Sequence, residues 1–230
     1  MKTLFIEARS SKQIKLPEAL IKSLPGKVGL TTTVQFLGSL DSMRKQLEAA
    51  GKKVSLIKSA RSVYEGQTLG CIAVEKLDKL SKTDAILYVG NGTFHPVGIA
   101  IAFNNTKDIF AYNPDSEKFS KVDKSIVEKV QKHKKGNLSK FYASDNIGII
   151  LTTKPGQKII QRSNGKLLEK KYPKKDFYYF ISDNLNLAEL ENFQFIGCWI
   201  NTACPMIVYE YYFEEIAGKR ASIINIDDVE

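Results

Sequence analysis

Four strand-like apolar segments in the first half of the chain find four counterparts, in the same order, in the second half. That doubling constrains the fold more than anything else in the sequence. Val28–Thr33 (VGLTTT) matches Ile147–Thr153 (IGIILTT) in character, and Val54–Ile57 (VSLI) matches Phe177–Ser182 (FYYFIS). Ala85–Gly90 (AILYVG) matches Phe195–Asn201 (FIGCWIN), and Ile109–Tyr112 (IFAY) matches Ala221–Ile226 (ASIINI). The period is roughly 120 residues, long enough for each copy to be a domain of its own. Helical stretches separate the strands, which predicts parallel sheets flanked by helices. The fold class expected is therefore α/β, with two similar domains, each a small parallel sheet of about four strands. Ala85–Val89 fits that expectation well, because it lacks the polar alternation of a half-exposed strand.

The doubling leaves Lys2–Ala8 (KTLFIEA) over, a strand pattern with no slot in either copy. An unpaired strand exposes backbone and invites another chain; joining the first sheet as an edge is the alternative. The helices expected are Leu16–Leu24 opened by Pro17, Leu37–Ala50 ended by Gly51, Ile72–Leu80, Val97–Phe103, Ser125–Lys135, one running from the Lys154–Gln157 turn to about Lys170, Leu187–Phe193 and Val208–Ile216. Between Tyr112 and the Ser125 helix the chain passes through the Asn113-Pro114-Asp115 turn and becomes polar and basic. The domain boundary is placed near Val122.

In open parallel sheets ligands bind at the carboxyl ends of the strands. Four polar loops fall there: Thr32–Gln35, Gly90–Pro96, Thr152–Gln157 and Asn201–Pro205. Two of the three cysteines sit where an apolar segment gives way, Cys71 after Gly70 and Cys204 just before Pro205. With no charged-then-apolar leader and no apolar run of about 18 residues, the expectation is a cytoplasmic, reducing setting without membrane contact. A metal could enforce the thiolate state at these two cysteines, whereas nucleophilic catalysis would need a histidine base. Only His95 and His133 exist, and His95 is the better placed of the two. There is no GxxxxGK[ST] loop, and Gly90-Asn91-Gly92 is too short for a dinucleotide fingerprint. The net charge of +9 comes from scattered lysines with one cluster at Lys166–Lys175. Such a cluster could meet an acidic partner or nucleic acid, but a solvated helix end and loop is the stronger reading.

Longer motifs say more. Gly66-Gln67-Thr68-Leu69-Gly70-Cys71, Gly90-Asn91-Gly92-Thr93-Phe94-His95-Pro96, Thr152-Thr153-Lys154-Pro155-Gly156-Gln157 and Asn201-Thr202-Ala203-Cys204-Pro205 resemble, in this order, motifs of the diphthamide-synthesis family. Thr32-Thr33-Val34-Gln35-Phe36-Leu37 is similar to the opening of that family's second domain. The family comprises the archaeal 2-(3-amino-3-carboxypropyl)histidine synthases and two related eukaryotic subunits.

The resemblance implies three similar α/β domains, each giving one cysteine to a [4Fe–4S] cluster. It implies cleavage of S-adenosylmethionine, with transfer of a 3-amino-3-carboxypropyl group to a histidine of translation elongation factor 2. Carried over, Cys71 is the second-domain cluster ligand and Cys204 the third-domain ligand. Gln35, Gly92, His95, Gln157 and Asn201 are candidates for binding S-adenosylmethionine. Residues 1–25 would be a remnant of the first domain, 26–122 the second domain and 123–230 the third. The missing domain and third cysteine would come from a separate chain, making an oligomer, with no membrane or direct nucleic-acid contact. The sequence departs from the family pattern at Met206, where an arginine is usual, and at Asn91 and Thr93. Cys198 has no family counterpart and reads as a packed thiol. A scaffold that binds S-adenosylmethionine or elongation factor 2 without catalysis is the alternative, and a homodimer pooling both cysteines is a third reading.

Overall fold

The structure is a computed structural model that describes residue 4 and residues 6–74, 82–154, 161–213 and 221–229. The chain divides into two compact units, Met1–Val127 and Glu128–Glu230. In the first, strands β1 (Lys27–Thr32), β2 (Lys53–Leu56), β3 (Ala85–Val89), β4 (Asp108–Asn113) and β5 (Lys118–Lys121) form one sheet in the order β2-β1-β3-β4-β5. All neighbours are parallel except β5, which runs antiparallel to β4. In the second, β6 (Asn146–Thr152), β7 (Asp176–Ser182), β8 (Cys198–Asn201) and β9 (Ile223–Asn225) form an all-parallel sheet in the order β7-β6-β8-β9. The order 2-1-3-4 thus occurs twice, and the expected α/β doubling is present.

The copies correspond residue by residue at their centres. Gly29 of β1 lies opposite Ile86 of β3, and Gly148 of β6 lies opposite Trp199 of β8. In each unit the neighbour's bulk occupies the space over that glycine. A Cβ on Gly29 would sit 2.6 Å from Ile86 Cδ1, and one on Gly148 would sit 2.6 Å from Trp199 Cζ3. The same register makes Tyr88 the counterpart of Asn201.

Helices α1 (Glu18–Ser23), α2 (Leu40–Ala49) and α3 (Phe94–Ala102) belong to the first unit. Its core joins Leu20, Leu24, Met43 and Leu47 to Val28, Leu30, Leu87 and Val89 of the sheet. Pro17 flanks α1 as expected, and Gly51, at φ +78°, follows α2 in a conformation glycine adopts without strain. The α2 segment differs from expectation at its start. Val34–Ser39 is a 3-10 turn, so Leu37 lies ahead of the α-helix. The α3 helix begins three residues earlier than expected, because a proline in the first turn lacks an N–H that would have had no partner there anyway.

The α4 helix (Lys124–Ala143), which begins in the last residues of the first unit and continues into the second, runs eight residues past its expected end, straight through Gly136. The buried Phe141, packed on Ile147 and Ile149, outweighs the cost of one mid-helix glycine, about 1 kcal/mol. The α5 helix (Gln161–Lys171) and α6 (Pro205–Phe213) complete this unit.

Strand β5 was not expected. Its four residues are all exposed, so the segment lacks the apolar signature of the others, and it owes its place to the Asn113 turn. Leu187–Asn192 is a 3-10 turn where an α-helix was expected. The expected Ile72–Leu80 helix is seen only as the 3-10 turn Gly70–Val74, the remainder lying outside the described residues. The expected strand Lys2–Ala8 lies partly outside them as well. Its described residues join neither sheet, and Leu4 and Ile6 are exposed. The Arg9 guanidinium lies over the Tyr64 ring, 4.9 Å from its centroid, and the Ser10 N–H donates to the Gln35 carbonyl (2.7 Å), followed by the buried Ile14 and Leu16.

Candidate functional site

In each unit strand order reverses between its first and third strands, the point where ligands bind in sheets of this kind. Gln35, Gly92, His95 and Cys204 follow those strands and Asn201 ends one of them, whereas Cys71 lies on the stretch between β2 and β3.

In the first unit, Thr32 ends β1 and pairs with Gln67 in a parallel bridge. The Thr32 N–H donates to the Gly66 carbonyl and the Thr68 N–H to the Thr32 carbonyl, both at 2.8 Å. Gly66 is required here: its φ is +73°, and a Cβ would press against the Leu40 side chain. Gln67 Oε1 accepts the N–H groups of Val63 (3.2 Å) and Tyr64 (3.1 Å). Ser59 Oγ accepts the Leu69 N–H (3.0 Å). Buried amide and hydroxyl groups therefore build the approach to Cys71, which is half-buried in the 3-10 turn Gly70–Val74. That turn packs on α3.

The same helix carries His95 in its first turn, after the Gly90–Thr93 loop. The imidazole stacks on Tyr88, centroids 5.8 Å apart and planes 14° apart, with Phe94 edge-on at 5.1 Å. Burial lowers the pKa of His95 below the ordinary histidine value and raises that of the Tyr88 hydroxyl. His95 is therefore a neutral imidazole near pH 7, with one donor and one acceptor. Gly92 is exposed at φ +70°, with open space where a Cβ would stand. Asn91 donates to Asp115 Oδ2 (2.8 Å), and Lys12 Nζ stands 3.2 Å from Asp115 Oδ1. Those contacts hold the Asp115 carboxyl below its usual pKa, Asn91 first and Lys12 second. Gln35 is half-buried in the turn after β1.

In the second unit β8 ends at Asn201 and α6 begins at Pro205, leaving Thr202–Cys204 between them. Cys204 is half-buried. Asn201 is 1% exposed, and its amide points into the protein. Its Nδ2 donates to the Cys204 carbonyl (3.0 Å) and to Asn225 Oδ1 (2.8 Å), while its Oδ1 accepts the Ala203 N–H (3.0 Å). Thr202 Oγ1 donates to the Ile150 carbonyl (2.6 Å). Gln157 lies outside the described residues. Cys198 is buried in the unit's core, and burial pushes its thiol pKa up to about 12. It is the packed thiol expected.

Sequence reasoning gave no role to Ser59, Gln67 or Asn225. Asn225 left a signal, as the lone amide in the apolar run Ser222–Ile226. Gln67 left less, since its pairing with Thr32 is set by the fold. Thiolates are the usual ligands of iron–sulfur clusters. Each unit presents one half-buried cysteine, a donor of the type such clusters take. Among the described residues no group of three His, Cys, Asp or Glu side chains gathers as a metal site.

These features define a duplicated parallel α/β protein that presents one rim cysteine from each unit. A family model described as "Putative diphthamide synthesis protein" matches residues 1–213, and the chain belongs to that family. It is 29% identical over 220 residues to the 2-(3-amino-3-carboxypropyl)histidine synthase of Pyrococcus horikoshii, covering 91% of this chain and 60% of that protein. To the enzyme of the same name from Methanocaldococcus jannaschii it is 30% identical over 190 residues, covering 77% and 52%. To subunit 1 of the synthase from Schizosaccharomyces pombe it is 27% identical over 195 residues, covering 80% and 43%. The fold matches the crystal structure of Dph2 from Pyrococcus horikoshii with a TM-score of 0.72 at 26% identity, over 92% of this chain and 58% of that one. It matches the structure of the same protein with a 4Fe-4S cluster with a TM-score of 0.69 at 27% identity. The chain spans between 43% and 60% of the length of the three curated relatives named. Among the described residues no helix is long and apolar enough to cross a membrane.

Proposed function

We propose that this chain is part of a 2-(3-amino-3-carboxypropyl)histidine synthase, the transferase of the first step of diphthamide formation. Its substrates are S-adenosylmethionine and a histidine of translation elongation factor 2, and its setting is the cytoplasm. The observation that carries this reading is the placement of one half-buried cysteine beyond the sheet's carboxyl edge in each unit.

Cys71 and Cys204 would each give a thiolate to a [4Fe–4S] cluster, within second and third family domains at about 26–122 and 123–230. A third thiolate would come from protein outside these 230 residues; the name "subunit 1" carried by eukaryotic relatives agrees with a multi-chain enzyme. When bound, the cluster supplies the electron and an open iron site for S-adenosylmethionine. Gln35, His95 and Gln157 offer amide and imidazole hydrogen bonds to the polar methionine moiety. Gly92, without a side chain, lets ligand approach the backbone, and Asn201 acts from behind by fixing the Cys204 loop.

The test is anaerobic iron–sulfur reconstitution with the partner chain, followed by methylthioadenosine release in the presence of elongation factor 2. Charge-transfer absorption near that of iron–sulfur proteins, lost in Cys71→Ala and Cys204→Ala, is the expected result. A second reading, a non-catalytic scaffold, draws on the lack of a three-ligand group among the described residues. Equal iron content in wild type and both variants would favour it and sink the first.

A further inference from the structure

The loop carrying Cys204 is polar, short and bounded by a proline, yet buried groups hold its backbone at consecutive residues. The Thr202 N–H and hydroxyl both go to the Ile150 carbonyl of β6, at 3.3 and 2.6 Å. Asn201 takes the Ala203 N–H and the Cys204 carbonyl. Asn225 Nδ2 donates to the Pro205 carbonyl at 3.2 Å, and its Oδ1 accepts from Asn201. Both amides are 1% exposed. Asparagine is depleted from strands, and a buried amide is costly unless its donors and acceptors are matched. Here they are matched almost wholly to each other and to the loop.

We propose that Asn225 is a positioning residue for Cys204, acting through Asn201. From the neighbouring strand it fixes the direction in which the Asn201 amide points, and so the place of the Cys204 backbone. Asn201 has one Nδ2 proton for the Cys204 carbonyl and one for Asn225. Removing the second acceptor frees the amide to rotate, and the Ala203 and Cys204 contacts go together. The Pro205 carbonyl at the start of α6 loses its donor as well. This proposal deepens the reading of Cys204 as a cluster ligand, and it needs a test that does not depend on the cluster.

That test is alkylation of the native chain by iodoacetamide at fixed pH, with Cys71 and Cys204 quantified separately by peptide mass spectrometry. In Asn225→Leu the Cys204 rate should rise about fivefold or more relative to Cys71, which serves as the internal standard. Ile223→Val, two residues away in the same strand, loosens packing without touching the amides and should leave the ratio unchanged. An unmoved ratio in Asn225→Leu, or an equal shift in Ile223→Val, overturns the proposal. Should Asn225→Leu fail to fold, hydrogen exchange of the wild-type Ala203 amide decides. Protection about a hundredfold or more above an unstructured peptide is expected, and exchange within tenfold of it overturns the clamp. Iron content measured alongside separates the two ideas. A shifted ratio with no iron uptake in any variant keeps the clamp and removes the cluster, whereas iron uptake with an unmoved ratio does the reverse.

Discussion

Replacing Gly148 by alanine tests the doubled architecture at its most crowded point. The added methyl would lie 2.6 Å from Trp199 Cζ3, where carbon–carbon contact is comfortable only beyond about 3.5 Å. The indole has little room to retreat, since Phe180 stands edge-on at 4.6 Å between centroids and Phe193 at 5.8 Å. Overpacking costs about 1–3 kcal/mol, and a rigid aromatic neighbour argues for the upper part of that range. The gain from restricting glycine in the unfolded chain, about 0.5–1 kcal/mol, offsets part of it. A net loss of about 2 kcal/mol follows, or roughly 8–16 °C in Tm for a unit of this size. The counterpart Gly29→Ala meets Ile86 Cδ1, a tip that can swing aside, and Ile57 Cγ1, which sits next to the β-branch and yields less. Its expected cost is about 1 kcal/mol, the lower end of overpacking.

The assay is urea unfolding followed by far-ultraviolet circular dichroism, which reports both units and does not depend on Trp199, the chain's single tryptophan. Adding Trp199→Leu to Gly148→Ala should remove most of the penalty, giving a coupling of at least about 1 kcal/mol in a double-mutant cycle. The reasoning is refuted if Gly148→Ala unfolds at the wild-type midpoint, or if it loses no more than Gly29→Ala.

Gly136 has open space where a Cβ would stand, inside α4, so Gly136→Ala should stabilise the second unit by about 0.5–1 kcal/mol; a lower urea midpoint would count against the helix assignment. His95 has a lowered folded pKa, so the unfolded chain binds more protons. Stability should therefore be complete above about pH 6.5 and fall as pH drops through that value, and His95→Phe should flatten the slope in pH-dependent thermal melts. Cys198 has the opposite sign. Its folded pKa is raised to about 12, so its share of stability is lost as pH rises above the ordinary thiol value, and Cys198→Ala should remove that alkaline loss in melts between pH 8 and 10. Lys134 Nζ lies 2.6 Å from Oδ1 of the buried Asp228, whose Oδ2 has no partner. Lys134→Met should cost about 2–3 kcal/mol by leaving that carboxylate uncompensated, measured by the same urea assay.

The strands and their doubling were legible because apolar runs flanked by turn residues leave a local signal, and the two copies reinforced each other. Segments that depend on a partner were not. KFSK at β5 carries no apolar face and pairs only because Asn113 turns the chain back onto β4. The run through Gly136 was hidden because what sustains it, Phe141 in the core, is fixed by tertiary packing. The site divides in the same way. The cysteines announced themselves by sitting beside glycine and proline at the ends of apolar segments. Asn201 was expected to bind ligand, but the direction of its amide, inward to Asn225 and the loop backbone, depends on strand register that no single segment encodes.

The register also shows that the two copies are not interchangeable. Tyr88 and Asn201 occupy the same place in their sheets, and each donates to a backbone carbonyl three residues ahead: Tyr88 to Asn91 at 3.4 Å, Asn201 to Cys204 at 3.0 Å. The same device therefore holds a glycine loop followed by His95 in the first unit and a cysteine loop in the second. The first unit's cysteine arises elsewhere, on the stretch between β2 and β3 that Gln67 ties to β1. One unit offers a thiol together with a glycine and imidazole rim, and the other offers a thiol where that rim would be. That division of labour gives a direct check. A Gly92→Ala variant, strained at φ +70°, should impair S-adenosylmethionine binding in the assembled enzyme while leaving Cys204 alkylation unchanged. Loss of both together would mean that the two loops form a single cooperative element and that the division of labour drawn from the register is wrong.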